Sequence, residues 1–249
     1  MSQIAEKLVL FGLPVHIFEN YLQWLHQRLR QQQGTHVVTL NAEMAMQARE
    51  NEALNQIIHQ ADLVIPDGAG VVFYFFLHGH KIRRSPGIEL AESLLRGVGS
   101  TDQSYPVFFF GGKPGVAQTA ARKWQQQFPQ LAIAGVAHGY ISPEEETELQ
   151  RTLQQQQPRI IFVGLGVPRQ EFWIAKHRHL CPDALWVGVG GSFDIWAGEK
   201  ARAPLWLQKM QMEWAYRLYQ EPWRWRRMLV LPQFAWVATL AAMRGTARN

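Results

Sequence analysis

The chain has 249 residues, 47% of them hydrophobic, a single cysteine (Cys181) and a formal net charge of +5. That length and composition supply a full core for one large domain, or for one domain with an appendage, and exclude an intrinsically disordered chain. One cysteine excludes both an internal disulfide and a cysteine-rich zinc site, which fits a reducing, cytosolic compartment.

The first apolar run, KLVLF, follows Glu6, with no basic stretch ahead of it and no small-residue cleavage site behind it. It is therefore expected as a first strand and not as a secretory signal. Six more β-rich runs come after it: HVVTL, DLVIP, PVFFFG, AIAGVAH, RIIFVG and LWVGVG. Amphipathic stretches separate them at 18–33, 43–60, 115–128, 143–157 and 170–180. This alternation predicts an α/β fold, a Rossmann-like, mostly parallel sheet with helices on both faces. SPEEE reads as a helix start, with Ser142 as the cap, Pro143 at the first position and three glutamates in the first turn. The glutamine runs at 31–33, 125–127 and 154–157 read as solvated helix ends.

The composition changes near Ala197. From there to Asn249, nine Lys or Arg face three Glu, a net +6 that leaves about −1 for the first 196 residues. Five of the ten tryptophans, Trp206, Trp214, Trp223, Trp225 and Trp236, fall in the same segment. The predicted division is an α/β core over 1–196 and a basic, helical appendage over 197–249. Basic residues interleaved with tryptophan suit a phosphate-rich polymer or the headgroup layer of an anionic membrane. The longest apolar stretch, MLVLPQFAWVATLAAM, has sixteen residues and is broken by Pro232 and Gln233. That is short of the ~20 needed to cross hydrocarbon, so the segment is expected to lie on a surface.

Ligands of an open parallel sheet bind outside the carboxyl ends of its strands. Here polar residues follow strand after strand: Thr39 and Asn41 at the end of HVVTL, Asp67 after DLVIP, Gln170 after RIIFVG, and GSFD after LWVGVG. Each also has a plain structural reading. Asp67, Thr39 and Asn41 suit helix caps, Gln170 a first-turn position, and Arg83 and Arg84 solvated surface charges.

Other chemistries find less support. GLGVPR and GVGGSF lack the third small residue of a dinucleotide fingerprint, and GGKP has proline where a Walker loop has Ser or Thr. Either turn still offers backbone N–H groups to a diphosphate. HGH and HRH lack a third ligand nearby and read as surface residues, and Ser192 is not framed as an esterase elbow. The inventory favours a carboxylate working with arginines, with no metal and no other cofactor.

Eight stretches occur in order: TLNAEM, IPDGAGVV, RRSPGIEL, GGKPGV, HGY, VGLGVPRQEFWI, VGVGGSFDIWAGEKARAP and MEWAYRLYQEPWRWRR. Together they resemble the WecG/TagA/CpsF glycosyltransferases along almost the whole chain. The resemblance implies an inverting, metal-independent enzyme of cell-surface polysaccharide synthesis. Such an enzyme moves a sugar, typically N-acetylmannosamine, from a UDP-sugar donor to an undecaprenyl-diphosphate-linked GlcNAc acceptor. It further implies Asp67 as the catalytic base and Thr39, Asn41, Arg84 and Gln170 as substrate-binding residues. Arg217, Arg224 and Arg227 are implied to reach over the rim to the departing UDP. One departure from the family is Glu89, where an aspartate is usual.

On this reading the core is catalytic, and the appendage both completes the site and docks on an anionic membrane surface. The expected location is the cytoplasm, peripheral on the inner face of the cell membrane. Nucleic acid is not an expected partner, because the core adds no basic face to the tail. The alternative is a non-catalytic nucleotide-sugar or polyprenyl-phosphate binding protein on the same scaffold, which would keep the pocket and have no need of Asp67.

Overall fold

Val, Ile and Phe fill five-residue runs such as VFFFG and IIFVG, whose every position is buried, the pattern of strands covered on both faces by helices. A computed structural model describes residues 6–246, without the side chains of Arg224 and of residues 244–246. The elements begin with β1 (Glu6–Leu10), β2 (Leu13–Ile17), α1 (Tyr21–Arg30), β3 (Thr35–Leu40), α2 (Ala42–Glu50), α3 (Glu52–Gln60) and β4 (Leu63–Pro66). Next come α4 (Ala69–Leu77), α5 (Gly87–Gly99), β5 (Val107–Gly111), α6 (Val116–Gln127), β6 (Ile133–Ala137), α7 (Pro143–Gln156), β7 (Ile160–Gly164) and α8 (Arg169–His177). The chain continues through β8 (Leu185–Gly188), α9 (Ser192–Ala197), α10 (Leu205–Lys209), α11 (Glu213–Gln220), α12 (Trp225–Met228) and α13 (Val230–Thr246).

Six strands form one parallel sheet in the order β4-β3-β8-β7-β5-β6, with helices packed on both faces. The α/β class and the parallel sheet are as the sequence predicts. The chain leaves β3 for β4 on one side, while β8 reaches the other side of β3 by way of β7. Such a reversal opens a crevice at the carboxyl ends of the strands.

Two local expectations fail for identifiable reasons. The first strand is followed not by a helix but by β2, with which it forms a separate antiparallel hairpin. Phe11 at φ 50 and Gly12 at φ 89 make its two-residue turn, the left-handed pair that matches strand twist. Phe11 is held there by edge contacts with Tyr74 and Phe234. The hairpin lies against β4, where His16 Nδ1 accepts the Val64 N–H at 3.0 Å and occupies a backbone donor of the sheet edge. The stretch at 43–60 is two helices and not one. Asn51 ends α2, and its side chain accepts the Leu54 N–H at 3.1 Å to cap α3.

The C-terminal segment returns across the sheet's helical layer. Phe234 and Ala238 of α13, one turn apart, are buried in the same cluster as Val71 and Phe75 of α4 and Met44 and Ala45 of α2. Gly70 permits this approach, since a Cβ there would meet Ala42 Cβ at 2.8 Å and the Phe234 ring at 3.4 Å. No helix among the described residues is long and apolar enough to cross a membrane.

Histidines are part of the interior. His177 of the HRH stretch, expected at the surface, is the last residue of α8 and is buried, with its Nδ1 2.9 Å from Trp173 O and its Nε2 3.3 Å from Gln150 of α7. His36, on β3, is buried too, and desolvation drives its pKa down to about 3. Desolvation also lowers His16, His26 and His177. In each case the unfolded chain takes up the proton first, so stability is complete above the unfolded value of 6.5 and falls as pH drops toward the folded values. His36 alone is expected to cost about 2 kcal/mol between pH 7.5 and pH 5. Urea unfolding at the two pH values checks this, and in His36→Leu that share of the pH dependence is expected to disappear.

Candidate active site

Three strand ends meet at one rim. Asp67 is the first residue beyond β4, and its N–H is still held by Leu40 O of β3 at 2.8 Å. Gly68 follows at φ 91 and ψ 157, a conformation that glycine adopts at no steric cost. Gly68, and not Asp67, occupies the cap position of α4, and no side chain caps that helix. The capping reading of Asp67 therefore does not hold. It does hold for Asn41, whose side chain accepts the Met44 N–H at 3.0 Å to start α2.

Two cavities open beside this rim. A smaller one of ≈ 100 Å³ is lined by Thr39, Gln170, Ser192 and the glycines 87, 190 and 191. A larger one of ≈ 350 Å³ runs beneath the C-terminal segment, between α4 and α13. Asn41, Asp67, Arg84, Glu213 and Arg217 line both and form the wall between them. Of the eight residues singled out from the sequence, six (Thr39, Asn41, Asp67, Arg84, Gln170 and Arg217) are therefore gathered at one place.

Burial pushes the Asp67 carboxyl above its ordinary value, against the opposing influence of Arg84, Arg217 and the Gly87 N–H; Glu213 adds to the rise. Gly87 opens α5 and must be small: a Cβ there would stand 2.6 Å from Thr39 Cγ2. Thr39 in turn donates from its hydroxyl to Gly188 O at 3.3 Å and ties β3 to β8 just below the rim.

The wall is organised by a residue that the sequence reading did not single out. Glu213, at the start of α11 and only 6% exposed, accepts from Arg84 Nη2 at 2.6 Å and from Arg217 Nη2 at 3.1 Å. Arg202 Nε lies 3.8 Å from the same carboxylate, and Arg202 also pairs with Glu89. Burial raises the Glu213 carboxyl, but Arg217, Arg84 and Arg202 outweigh it and hold the group below its ordinary value. Glu213 stands inside MEWAYRLYQEP as one of three acids in the basic tail, which was the available signal. The Glu for Asp exchange at 89 acquires a partner here, since Glu89 faces Arg202 and not either cavity.

Gln170 is buried, and its amide is committed: Nε2 donates to Glu171 Oε1 at 2.8 Å, and Oε1 accepts the Gly190 N–H at 3.0 Å. It shapes the glycine turn after β8 and lines the smaller cavity. Desolvation raises the Glu171 carboxyl to about 7. Arg227 stands outside both cavities, 2.7 Å from Glu43, and pins α12 to the first turn of α2. Arg224 falls in the 3-10 turn Pro222–Arg224, and its side chain lies outside the described residues. No three His, Cys, Asp or Glu side chains among the described residues stand together as a metal-binding group.

The arrangement is a carboxylate of raised pKa between two compartments, flanked by two guanidiniums. It suits proton abstraction next to a bound anion. Comparison with known proteins agrees with a transferase. Residues 8–248 match the profile described as the Glycosyl transferase WecG/TagA/CpsF family. An N-acetylglucosaminyldiphosphoundecaprenol N-acetyl-beta-D-mannosaminyltransferase of Bacillus spizizenii is 38% identical over 222 residues, 88% of this chain and 84% of the relative. Proteins of the same name from Bacillus subtilis and Staphylococcus aureus are 34% and 36% identical, covering 88% and 80% of this chain and 83% and 77% of the relatives.

The Glu213 cluster sets a testable expectation. Glu213→Ala leaves three guanidiniums around an empty position, and removal of one partner from a buried ion pair costs about 3 kcal/mol or more. Urea unfolding is expected to show that loss, and trypsin to cut faster after Arg202 and Arg217 than in the parent protein.

Proposed function

This chain belongs to the WecG/TagA/CpsF glycosyltransferase family, and from that premise we propose that it transfers N-acetylmannosamine from a UDP-sugar to a polyprenyl-diphosphate-linked GlcNAc. We propose further that the transfer inverts the anomeric centre and needs no metal. The observation that carries the reading is the position of Asp67, a carboxylate of raised pKa in the wall shared by both cavities, with Arg84 and Arg217 beside it.

In this mechanism the acceptor hydroxyl attacks the anomeric carbon of the donor from the face opposite UDP. Asp67 takes the hydroxyl proton as the new C–O bond forms, and the bond to the β-phosphate breaks. A raised pKa makes the ionised carboxylate a stronger base. Negative charge builds on the leaving phosphate, and Arg84 and Arg217 meet it with planar donor forks that Glu213 holds in place. Thr39, Gln170 and the turn at Gly190 form the floor of the smaller compartment, which suits the donor's polar part. Arg227 acts at a distance in this scheme, by fixing α12 through Glu43.

The segment after residue 196 supplies Glu213 and Arg217 to this site and, in our reading, also the membrane contact. Trp206, Trp223, Trp225, Leu229 and Trp236 are all exposed there, among Lys209, Arg226 and Arg227. Exposed indoles beside cations suit the headgroup layer of an anionic leaflet, where the lipid-linked acceptor resides.

Asp67→Asn is expected to lower kcat by ~10²–10⁴ with little change in donor KM, and to remove the acidic limb of the pH–rate profile. In the parent protein that limb is expected above the ordinary carboxylate value, because activity appears as Asp67 loses its proton. A kcat within a factor of about three of the parent's would sink the assignment of the base. Replacing Trp223, Trp225 and Trp236 together by serine is expected to cut co-sedimentation with anionic vesicles, while circular dichroism stays unchanged. Undiminished co-sedimentation would show that these indoles are not the membrane contact.

A further inference from the structure

The larger cavity has two unlike halves. One is the charged wall with Asp67, Arg84 and Arg217; the other is hydrocarbon, built from Phe73 of α4, Met228 of α12 and Leu231, Phe234 and Ala235 of α13. Leu231, Phe234 and Ala235 follow i, i+3, i+4 spacing and so share one face of their helix. Glu43, which also lines the cavity, is paired with Arg227 at 2.7 Å. Phe73 and Trp214 also line the cavity and are partly exposed, and Phe76, one turn beyond Phe73 on α4, is exposed at the surface.

A sugar gains little from such a wall, because its hydroxyls would lose water without finding partners. A nucleotide base has the same difficulty along its polar edges. The chemistry that fits both halves at once is a molecule anionic at one end and hydrocarbon at the other. Resting on the reading that the acceptor is a polyprenyl-diphosphate-linked GlcNAc, we infer that the apolar half is a subsite for the first isoprene units of the acceptor's own lipid. The sugar then lies at Asp67, its diphosphate on the larger-cavity side of the wall whose other side faces the donor, and the chain runs along α13 and out past Phe73. The enzyme thus reads the hydrocarbon directly, apart from any concentration of substrate that a membrane provides.

The test uses the full chain in buffer free of lipid and detergent, with GlcNAc-diphosphate acceptors carrying methyl, geranyl or farnesyl groups below their micelle concentrations. Acceptor KM is expected to fall about tenfold or more from methyl to geranyl and to change little from geranyl to farnesyl, as burial of a few CH₂ groups in a short subsite predicts. Ala235→Trp fills the apolar half, and Leu231→Ser makes it polar. In whichever of the two melts like the parent, the methyl-to-geranyl ratio is expected to collapse toward one while donor KM is unmoved. Equal KM for all three acceptors in the parent protein would overturn the inference, as would a preference that survives in a well-folded variant. Transfer to none of these acceptors, nor to the long-chain lipid in vesicles, would instead overturn the assigned acceptor, and the inference with it.

Discussion

One buried carboxylate holds the site together. Glu213 is reached by guanidiniums from three separate segments: Arg84 in the loop before α5, Arg202 in the loop after α9, and Arg217 one turn along its own helix. Exposed ion pairs contribute little because water screens them and the side chains lose freedom. Here the acid is buried and the cations converge, so loss of the carboxylate would leave positive charges facing one another in a site of low polarity. The cluster therefore fixes the C-terminal segment to the core and, by the same contacts, aims Arg84 and Arg217 at the wall where Asp67 stands.

That arrangement bears on the chemistry of Asp67. Arg84 and Arg217 oppose the rise that burial imposes on its pKa. On the proposed reading, a diphosphate entering beside them draws their charge toward itself and adds negative charge of its own. Both effects raise the Asp67 pKa further, so the group becomes a stronger base when the substrate it must serve is bound.

The sheet was legible because buried strands in an alternating α/β chain are short, apolar and rich in Val, Ile and Phe, a local signal. The hairpin was not, because its Phe-Gly turn lacks the usual Asn-Gly signature, and Phe11 tolerates a left-handed backbone only because Tyr74 and Phe234 hold its ring. At the site, Asp67 and Thr39 could be read from their places at strand ends. Glu213 carried only a compositional signal, an acid in a basic tail, because its partner Arg84 is 129 residues away and no local rule joins them. The roles of Asn41 and Gln170 lie between these cases: a cap is recognisable from sequence, whereas an amide divided between Glu171 and Gly190 is visible only once β8 lies beside α8.

The C-terminal helix shows how an apparently peripheral segment becomes part of the centre. One face of α13 buries Phe234 and Ala238 against α2 and α4, the two helices that begin just past the rim residues Asn41 and Asp67. Leu229, Trp236 and Met243 recur every seven residues and are exposed away from that face. A cavity wall, a core contact and an exposed apolar stripe thus occupy the same two dozen ångströms of helix. Any force that moves the stripe relative to the sheet must also move the wall, unless Phe234 leaves its place between Phe11 and Gly70. Burial of a phenylalanine makes that departure costly, on the order of 3–5 kcal/mol by analogy with its removal.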